Sequence, residues 1–354
     1  MAAGSGNEQG GDELALATRA AWLYHAGGLT QSEVAQRLGV PALKAHRLIA
    51  RATRAGLVRV LIEGPIGGCV ALEERLVSQF GLRLCRVVPS LGEPGLPLRA
   101  LGTACASLLH EMLASEEHRI IGVGHGRTLG ASIDLLPSIH APNICFVSLL
   151  GGLTRRTGTS PFDVIHRLAE KTGGEAWLLP VPFLANTAAD RAVLLAQRGI
   201  GEAVRLARQA TFSLVGIGEV AGDAFLPAAG VVPAEDAQAL REAGAVGEML
   251  GHYFDAEGAL IAAPLHDRVI ALLPQDTGQG RLTVAVAGGP GKIEAIGAVL
   301  QSRMLDGLVT DEPTAQRLLA APEPEATSKG NGPCTKKKKT SPKASSRGAL
   351  AGVS

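Results

Sequence analysis

The sequence is short of aromatic residues, of paired cysteines and of long uncharged apolar runs. Aromatic residues make up only 3% of its 354 residues. No stretch reaches the roughly 18 apolar residues that a transmembrane helix requires, and residues 1–11 lack the basic start and apolar core of a signal peptide. The five cysteines are scattered without a C-x-x-C pair, which indicates free thiols and argues against structural zinc. We therefore expect a cytoplasmic protein without a membrane segment, a metal or a cofactor.

The chain is rich in glycine and in aliphatic residues, and its charge is unevenly distributed. It contains 45 glycines and is 46% hydrophobic, which suits an α/β fold with tight turns between strands and helices. The net charge is +1, yet residues 13–62 and residues 322–354 each carry seven basic and two acidic side chains. A basic head on an acidic body indicates a polyanion contact at the head. Residues 1–12 and the lysine-rich tail, 322–354, are predicted to be disordered.

The head, residues 13–62, has the pattern of a helix-turn-helix domain. Apolar spacing and turn residues predict a helix over 13–28, a helix over 30–38, a turn over 39–41, a helix over 42–55 and a strand over 57–62. Thr30 and Glu33 have the spacing of a capping box, in which each side chain bonds the backbone of the other residue. Two short helices joined by a turn that contains Gly39 are typical of DNA-binding helix-turn-helix motifs.

The second helix of this pair is predicted to read DNA. Helical spacing gives it an outer face of Ala42, Leu43, His46, Arg47 and Ala50. We expect Arg47 to pair with a guanine edge in the major groove. The other predicted DNA contacts, mainly to phosphates, are Lys44, His46, Arg51 and Arg54.

A small helical bundle with a solvated basic face is the alternative interpretation of the head. Two features depart from the usual motif. Pro41 stands where an N-capping serine is usual, and Ala45 stands where a larger apolar residue is usual.

The body, residues 63–321, is predicted to be an α/β domain with a mostly parallel sheet. Short apolar runs alternate with helical segments, as in βα units. The predicted strands are Cys85–Val88, Ile120–Val123, Ile144–Leu149, Ala176–Leu179, Phe212–Ile217, Leu282–Ala287 and Leu308–Thr310.

Four of these strands end in glycine turns, which predicts a ligand site at their shared edge. The first turn holds Gly124 and Gly126, with Arg127 and Thr128 at the start of the next helix. The other turns are Gly151-Gly152, Gly216–Gly218 and Gly288-Gly289. Backbone N–H groups at such turns can bind an anion or a hydroxyl oxygen, and ligands of open α/β folds bind at the carboxyl edge of the sheet. A glycine turn of this kind, taken alone, is more often a tight connection that binds nothing.

Two charged residues complete the predicted site. Lys292 lies in the first turn of a helix, where a cation is unfavourable unless a ligand compensates it. Asp255 precedes a turn and could accept sugar hydroxyls. A solvated lysine and a turn-capping aspartate are the alternative interpretations.

These stretches together resemble the SorC family of bacterial regulators, often grouped with DeoR-type regulators. The resemblance rests on six segments in family order: Gly122–Leu129, Leu149–Gly152, Gly216–Gly218, Gly244–Gly258, Val286–Lys292 and Leu308–Leu319. It implies a body with the fold of sugar-phosphate isomerases but without catalysis, and an effector held by Gly124, Gly126, Arg127, Thr128, Gly151, Gly152, Asp255 and Lys292. It also implies a homodimer or homotetramer that binds operator DNA and responds to a sugar, a polyol or a sugar phosphate.

Two other functions remain as alternatives. The first is an isomerase-like enzyme, with acid–base candidates His125, His166, His252, His266, Glu248 and Asp255. No two of these share a spacing that fixes them as a catalytic pair. The second is a regulator that senses a metabolite other than a sugar, since glycine turns recognise oxygen atoms in general.

Overall fold

The head consists of three helices packed on a small core. The computed structural model describes residues 5–58, 67–93, 95–115, 117–153, 161–220, 226, 230–276 and 280–320. The head helices are α1 (Ser5–Ala21), continued by a π-helical turn (Trp22–Ala26), α2 (Gln31–Leu38) and α3 (Ala42–Arg54). Helix α1 begins at Ser5, within residues 1–12, for which the sequence predicts disorder. Most of the strand predicted over 57–62, and the whole tail 322–354, lie outside the described residues.

The start of α2 confirms the predicted capping box. The Thr30 hydroxyl accepts from the Glu33 backbone N–H, and the Thr30 N–H donates to the Glu33 carboxylate at 2.7 Å. Gly39 ends α2 with φ of 64°, a left-handed conformation that glycine adopts without steric cost. Local signals therefore specify both ends of α2.

Helix α3 has one buried and one exposed face. Ala45, Leu48, Ile49 and Ala52 are buried against α1 and α2. Ala45, which departs from the usual motif, is fully buried. The predicted outer face of α3 is confirmed as largely exposed, with only Ala50 half-buried.

The body is built on a seven-stranded parallel sheet, as predicted. Its strands are β1 (Leu84–Val88), β2 (Ile120–Val123), β3 (Cys145–Ser148), β4 (Glu175–Trp177), β5 (Phe212–Val215), β9 (Leu282–Val286) and β10 (Gly307–Asp311). Their order is β1-β10-β9-β5-β2-β3-β4, and each pair of neighbours is parallel. A second sheet, antiparallel in order β6-β7-β8, contains β6 (Gly218–Glu219), β7 (Gly247–Met249) and β8 (His252–Phe254).

Helices connect the parallel strands and cover the sheet. They are α4 (Gly67–Phe80), α5 (Leu98–Ala114), α6 (Arg127–Leu135), α7 (Pro161–Thr172), α8 (Ala188–Leu195), α9 (Arg198–Ala207), α10 (Ala234–Glu242), α11 (Ile293–Gln301) and α12 (Glu312–Ala320). Two apolar clusters fill the body. Across the described parts of the chain, no helix is both long and apolar enough to cross a membrane.

The order of the strands reverses between β2 and β5. From β2 the chain proceeds through β3 to β4 at one edge and then returns to β5 on the other side of β2. The connections that leave the carboxyl ends of β2 and β5 therefore diverge. In open α/β sheets this divergence opens a crevice where ligands bind.

Candidate functional site

A cavity lies at this reversal point, beside the segments that follow β2 and β5. Its empty space, which includes open solvent at the mouth, is about 760 Å³. It is lined by Leu96, His125, Gly126, Arg127, Thr128, Leu129, Gly216, Ile217, Gly218, Glu219, Val220, Leu226, Ala237, Leu240, Glu248, Tyr253 and Lys292. Apolar side chains thus surround a few polar groups from four separate segments.

The start of α6 forms one wall of the cavity. Gly126 is the N-cap residue and provides no side chain to accept the first helical N–H groups. These N–H groups have no carbonyl partner within the helix, and the helix dipole adds partial positive charge here. Arg127 is exposed and Thr128 is buried, and both line the cavity. This wall can donate hydrogen bonds to ligand oxygens.

Lys292 brings a second cation into the cavity. It ends the 3₁₀ turn Pro290–Lys292 and directly precedes α11. Its Nζ donates to the backbone carbonyl oxygen of Ile217 at 2.5 Å. Burial lowers the pKa of Lys292, and the carboxylates of Glu219 and Glu248 oppose that shift. The ammonium is thus held at the end of β5 by a backbone acceptor.

Two carboxyl groups, those of Glu219 and Glu248, also line the cavity. Glu248, in β7, is buried and accepts from the Gly251 N–H at 2.6 Å. Gly218 pairs with it across the β6–β7 ladder, and a Cβ at Gly218 would lie 2.2 Å from the Glu248 carboxyl. A side chain at position 218 would therefore displace this carboxyl from its present position. Burial raises the pKa of Glu248 to about 7, although the Gly251 N–H and Lys292 both act to lower it.

His125 and Tyr253 complete the polar lining, and both are buried. Burial and the positive charge of Lys292 lower the pKa of His125 to about 4, so its imidazole is neutral at physiological pH. Burial raises the pKa of Tyr253, whose ring stacks on His266 at a centroid distance of 6.1 Å. The cavity therefore contains two cations, two carboxyl groups and two neutral polar rings.

The structure brings together only part of the predicted effector site. Gly126, Arg127, Thr128 and Lys292 line the cavity, and the other predicted residues do not. The N–H groups of Gly124, Gly151 and Gly152 donate to the carbonyls of Leu214, Ile270 and Val181. These three glycines join neighbouring backbone segments instead of facing a ligand.

Asp255 also lies outside the lining of the cavity. Its carboxylate accepts from the Ala259 N–H at 2.8 Å, and its carbonyl accepts from the Gly258 N–H. This is the turn-capping role that the sequence left as the alternative.

Sequence reasoning did not place Glu219, Glu248 or Tyr253 in the effector site. From the sequence, Glu248 is a candidate only as an acid–base residue of the alternative enzyme. A signal existed for Glu219, because it follows the Gly216–Gly218 turn directly. No comparable signal marked Glu248 and Tyr253, since the antiparallel pairing of β6, β7 and β8 brings them to the cavity.

Two of the five predicted DNA-contact residues also contact other helices of the head. Lys44, Arg47 and Arg54 are exposed on α3. Arg51 is half-buried and forms an ion pair with Glu13 of α1. His46 Nδ1 lies 3.3 Å from the Gln31 amide oxygen of α2. Arg51 and His46 thus also tie α3 to the rest of the head.

The thiols and acidic groups show no metal site within the described ranges. Cys69, Cys85, Cys105 and Cys145 are free, and burial raises the pKa of each. No group of three or more His, Cys, Asp or Glu residues among the described positions could hold a metal ion.

A helical head joined to an α/β body that carries a cavity is the architecture of a two-part binding protein. Comparisons with known proteins identify its family. Residues 64–320 match the family model described as "Putative sugar-binding domain". The erythritol catabolism regulatory protein EryD of Brucella abortus is 48% identical over 307 residues, which cover 87% of this chain and 97% of EryD. The transcriptional regulator LsrR of Escherichia coli K12 is 32% identical over 88% of this chain and 97% of LsrR.

Solved structures agree with these matches. The full-length sorbitol operon regulator SorC of Klebsiella pneumoniae superposes with a TM-score of 0.65 and is 25% identical, over 87% of this chain and 99% of SorC. The chain therefore belongs to the SorC family of transcriptional regulators that carry this sugar-binding domain.

Proposed function

We propose that this protein is a DNA-binding regulator of polyol catabolism, and that an unphosphorylated polyol bound in the cavity changes its affinity for operator DNA. The observation that carries the proposal is that Lys292 and the carboxyl groups of Glu219 and Glu248 line one cavity at the reversal of the sheet. DNA contact is assigned to the exposed basic face of α3.

The charge of the cavity favours a neutral ligand. Glu219 offsets one of the two positive charges of Arg127 and Lys292, and Glu248, with a pKa of about 7, offsets part of the other. The lining therefore has no large excess of positive charge. Carboxylates accept hydrogen bonds from hydroxyl groups, whereas they repel a phosphate. A polyol can accept from the α6 wall and from Lys292 while it donates to the carboxyl groups. The name of the 48% identical relative, which concerns erythritol catabolism, supports a short polyol.

A phosphorylated polyol is the second candidate ligand. The uncapped N–H groups at the start of α6, together with Arg127, form a local anion site. The predicted effector residues Gly124, Gly151, Gly152 and Asp255 have no part in either proposal.

Ligand and DNA are coupled through the subunits in this proposal. We propose a homodimer or homotetramer in the cytoplasm, because paired heads about 34 Å apart can meet successive major grooves. A ligand that binds one subunit arrangement better shifts the population by its difference in affinity, and no more. Binding without turnover distinguishes this function from that of an isomerase-like enzyme.

The test combines a ligand screen with DNA binding by the full-length protein. Erythritol and longer polyols, their phosphates and inorganic phosphate are compared by thermal unfolding, and the active compounds are added to complexes with promoter DNA. We expect an unphosphorylated polyol at about 100 times its Kd to raise Tm by about 5 °C and to change DNA affinity. Stabilisation by phosphates alone would select the second candidate, and turnover of a sugar phosphate would select the enzyme. Failure to bind any promoter DNA at low salt would contradict the regulator assignment.

A further inference from the structure

The exposed face of α3 carries a leucine that the basic-face interpretation does not explain. Leu43 is 61% exposed, whereas Leu48 and Ile49 on the same helix are 3% and 6% exposed. A single exposed apolar side chain is ordinary on a protein surface. Exposure alone therefore does not indicate that Leu43 contacts a partner.

Leu43 lies on the same face of α3 as two exposed arginines. At 3.6 residues per turn, Leu43 lies about half a turn away from the buried stripe centred on Ala45 and Ala52. Arg47 and Arg54 share its side of the helix, and both are exposed. Leu43 is also the second residue of α3. The N-terminal part of a recognition helix is the part that meets base edges.

The chemistry of the major groove then limits what Leu43 can contact. Donors and acceptors fill the base edges, and the C5-methyl group of thymine is the apolar feature there. Leucine offers no hydrogen bond, so its favourable partner in the groove is that methyl group. We propose that Leu43 is a specificity-determining residue that reads a thymine methyl next to the base pair contacted by Arg47. This proposal rests on the proposed DNA-binding function and adds a base preference to it.

The experiment removes the methyl group and the leucine separately. Duplexes that the full-length protein selects from a random pool are resynthesised with deoxyuridine at each thymine in turn, and affinities are measured for the wild-type protein and for Leu43→Ala. We expect one position at which loss of the methyl weakens wild-type binding about fourfold, the equivalent of one buried methylene group. At that position Leu43→Ala is expected to bind both duplexes equally.

A matched control keeps the result specific. Val193→Ala removes an apolar side chain with nearly the same exposure, 62%, from α8 of the body, and it is expected to keep the wild-type methyl dependence. Equal methyl dependence in the wild type and in Leu43→Ala would overturn the inference while leaving DNA binding intact. A change of oligomeric state in Leu43→Ala with unchanged thymine preference would also overturn it, by assigning Leu43 to a protein contact. Enrichment of no duplex would instead reject the proposed function.

Discussion

Head and body present their polar groups in opposite ways. In the head, the predicted contacts come from one helix, and Lys44, Arg47 and Arg54 are exposed. In the body, the polar groups come from segments far apart in the sequence, and most are buried. Exposed groups keep their usual charge and act on a large polyanion. Buried groups set one another's charge, which suits discrimination among small ligands.

The largest effect is expected from Lys292→Ala, which should abolish stabilisation by the polyol. The Lys292 ammonium lies in the cavity near the carboxyl groups of Glu219 and Glu248. Hydrogen bonds to a charged group contribute more binding free energy than hydrogen bonds between neutral groups. Thermal unfolding with and without polyol measures the loss, and DNA affinity without ligand should stay unchanged. Asp255→Asn provides the contrasting arm, because the carboxylate of Asp255 caps a turn. An undiminished polyol response in Lys292→Ala, or its loss in Asp255→Asn, would reverse the assignment of the site.

Arg47→Ala is expected to weaken operator binding by about ten- to a hundredfold and to relax the preference for one base pair. Polyol binding to the body should not change, because the two functions lie in different parts of the molecule. Gel-shift titration measures the affinity. Arg205→Ala, which removes another exposed positive charge, from α9 of the body, is the control. Equal losses in the two variants would show that net charge matters and that Arg47 does not read a base.

The smallest effect concerns the pH dependence of stability. The pKa of Glu248 is about 7 in the folded protein, above its ordinary value of 4.5. The folded state therefore binds this proton more tightly than the unfolded state, and the contribution of Glu248 to stability falls as pH rises from about 4.5 to 7. Glu248→Gln removes this loss. We expect the variant to gain on the order of 1–3 kcal/mol relative to wild type between about pH 5 and pH 8.

Urea unfolding of both proteins across that pH range measures the gain. His125, whose pKa is lowered to about 4, acts in the opposite direction because its folded form resists protonation below its ordinary pKa of 6.5. That contribution is present in both proteins and cancels in the difference. If stability changes equally with pH in the two proteins, Glu248 is ionised across the whole pH range tested. Burial in the cavity would then not alter the charge of Glu248, contrary to the contrast drawn between head and body.

The sequence predicted the head and the sheet better than it predicted the cavity. Helical period and the Thr30–Glu33 box are local signals, so they located α2 and the faces of α3. Apolar runs likewise located all seven strands of the parallel sheet. These signals work because each depends on residues that are near one another in the chain.

The cavity was harder to predict because long-range pairing decides which residues meet there. Gly151 and Gly152 looked like an oxygen-binding turn, yet their N–H groups bond Ile270 and Val181, which are distant in sequence. Glu248 reaches the cavity only because β7 pairs with β6. Such pairings depend on packing across the whole body, which residue spacing along the chain does not report.

The hydrogen bond from Lys292 to Ile217 has a consequence for how ligand preference can evolve. Its acceptor is a main-chain oxygen, which every amino acid at position 217 would supply. A different side chain at this position can change the shape of the cavity without removing the hydrogen-bond acceptor of the Lys292 ammonium. Substitutions at position 217 can therefore change which ligands fit, while the hydrogen bond from Lys292 to the main chain is kept.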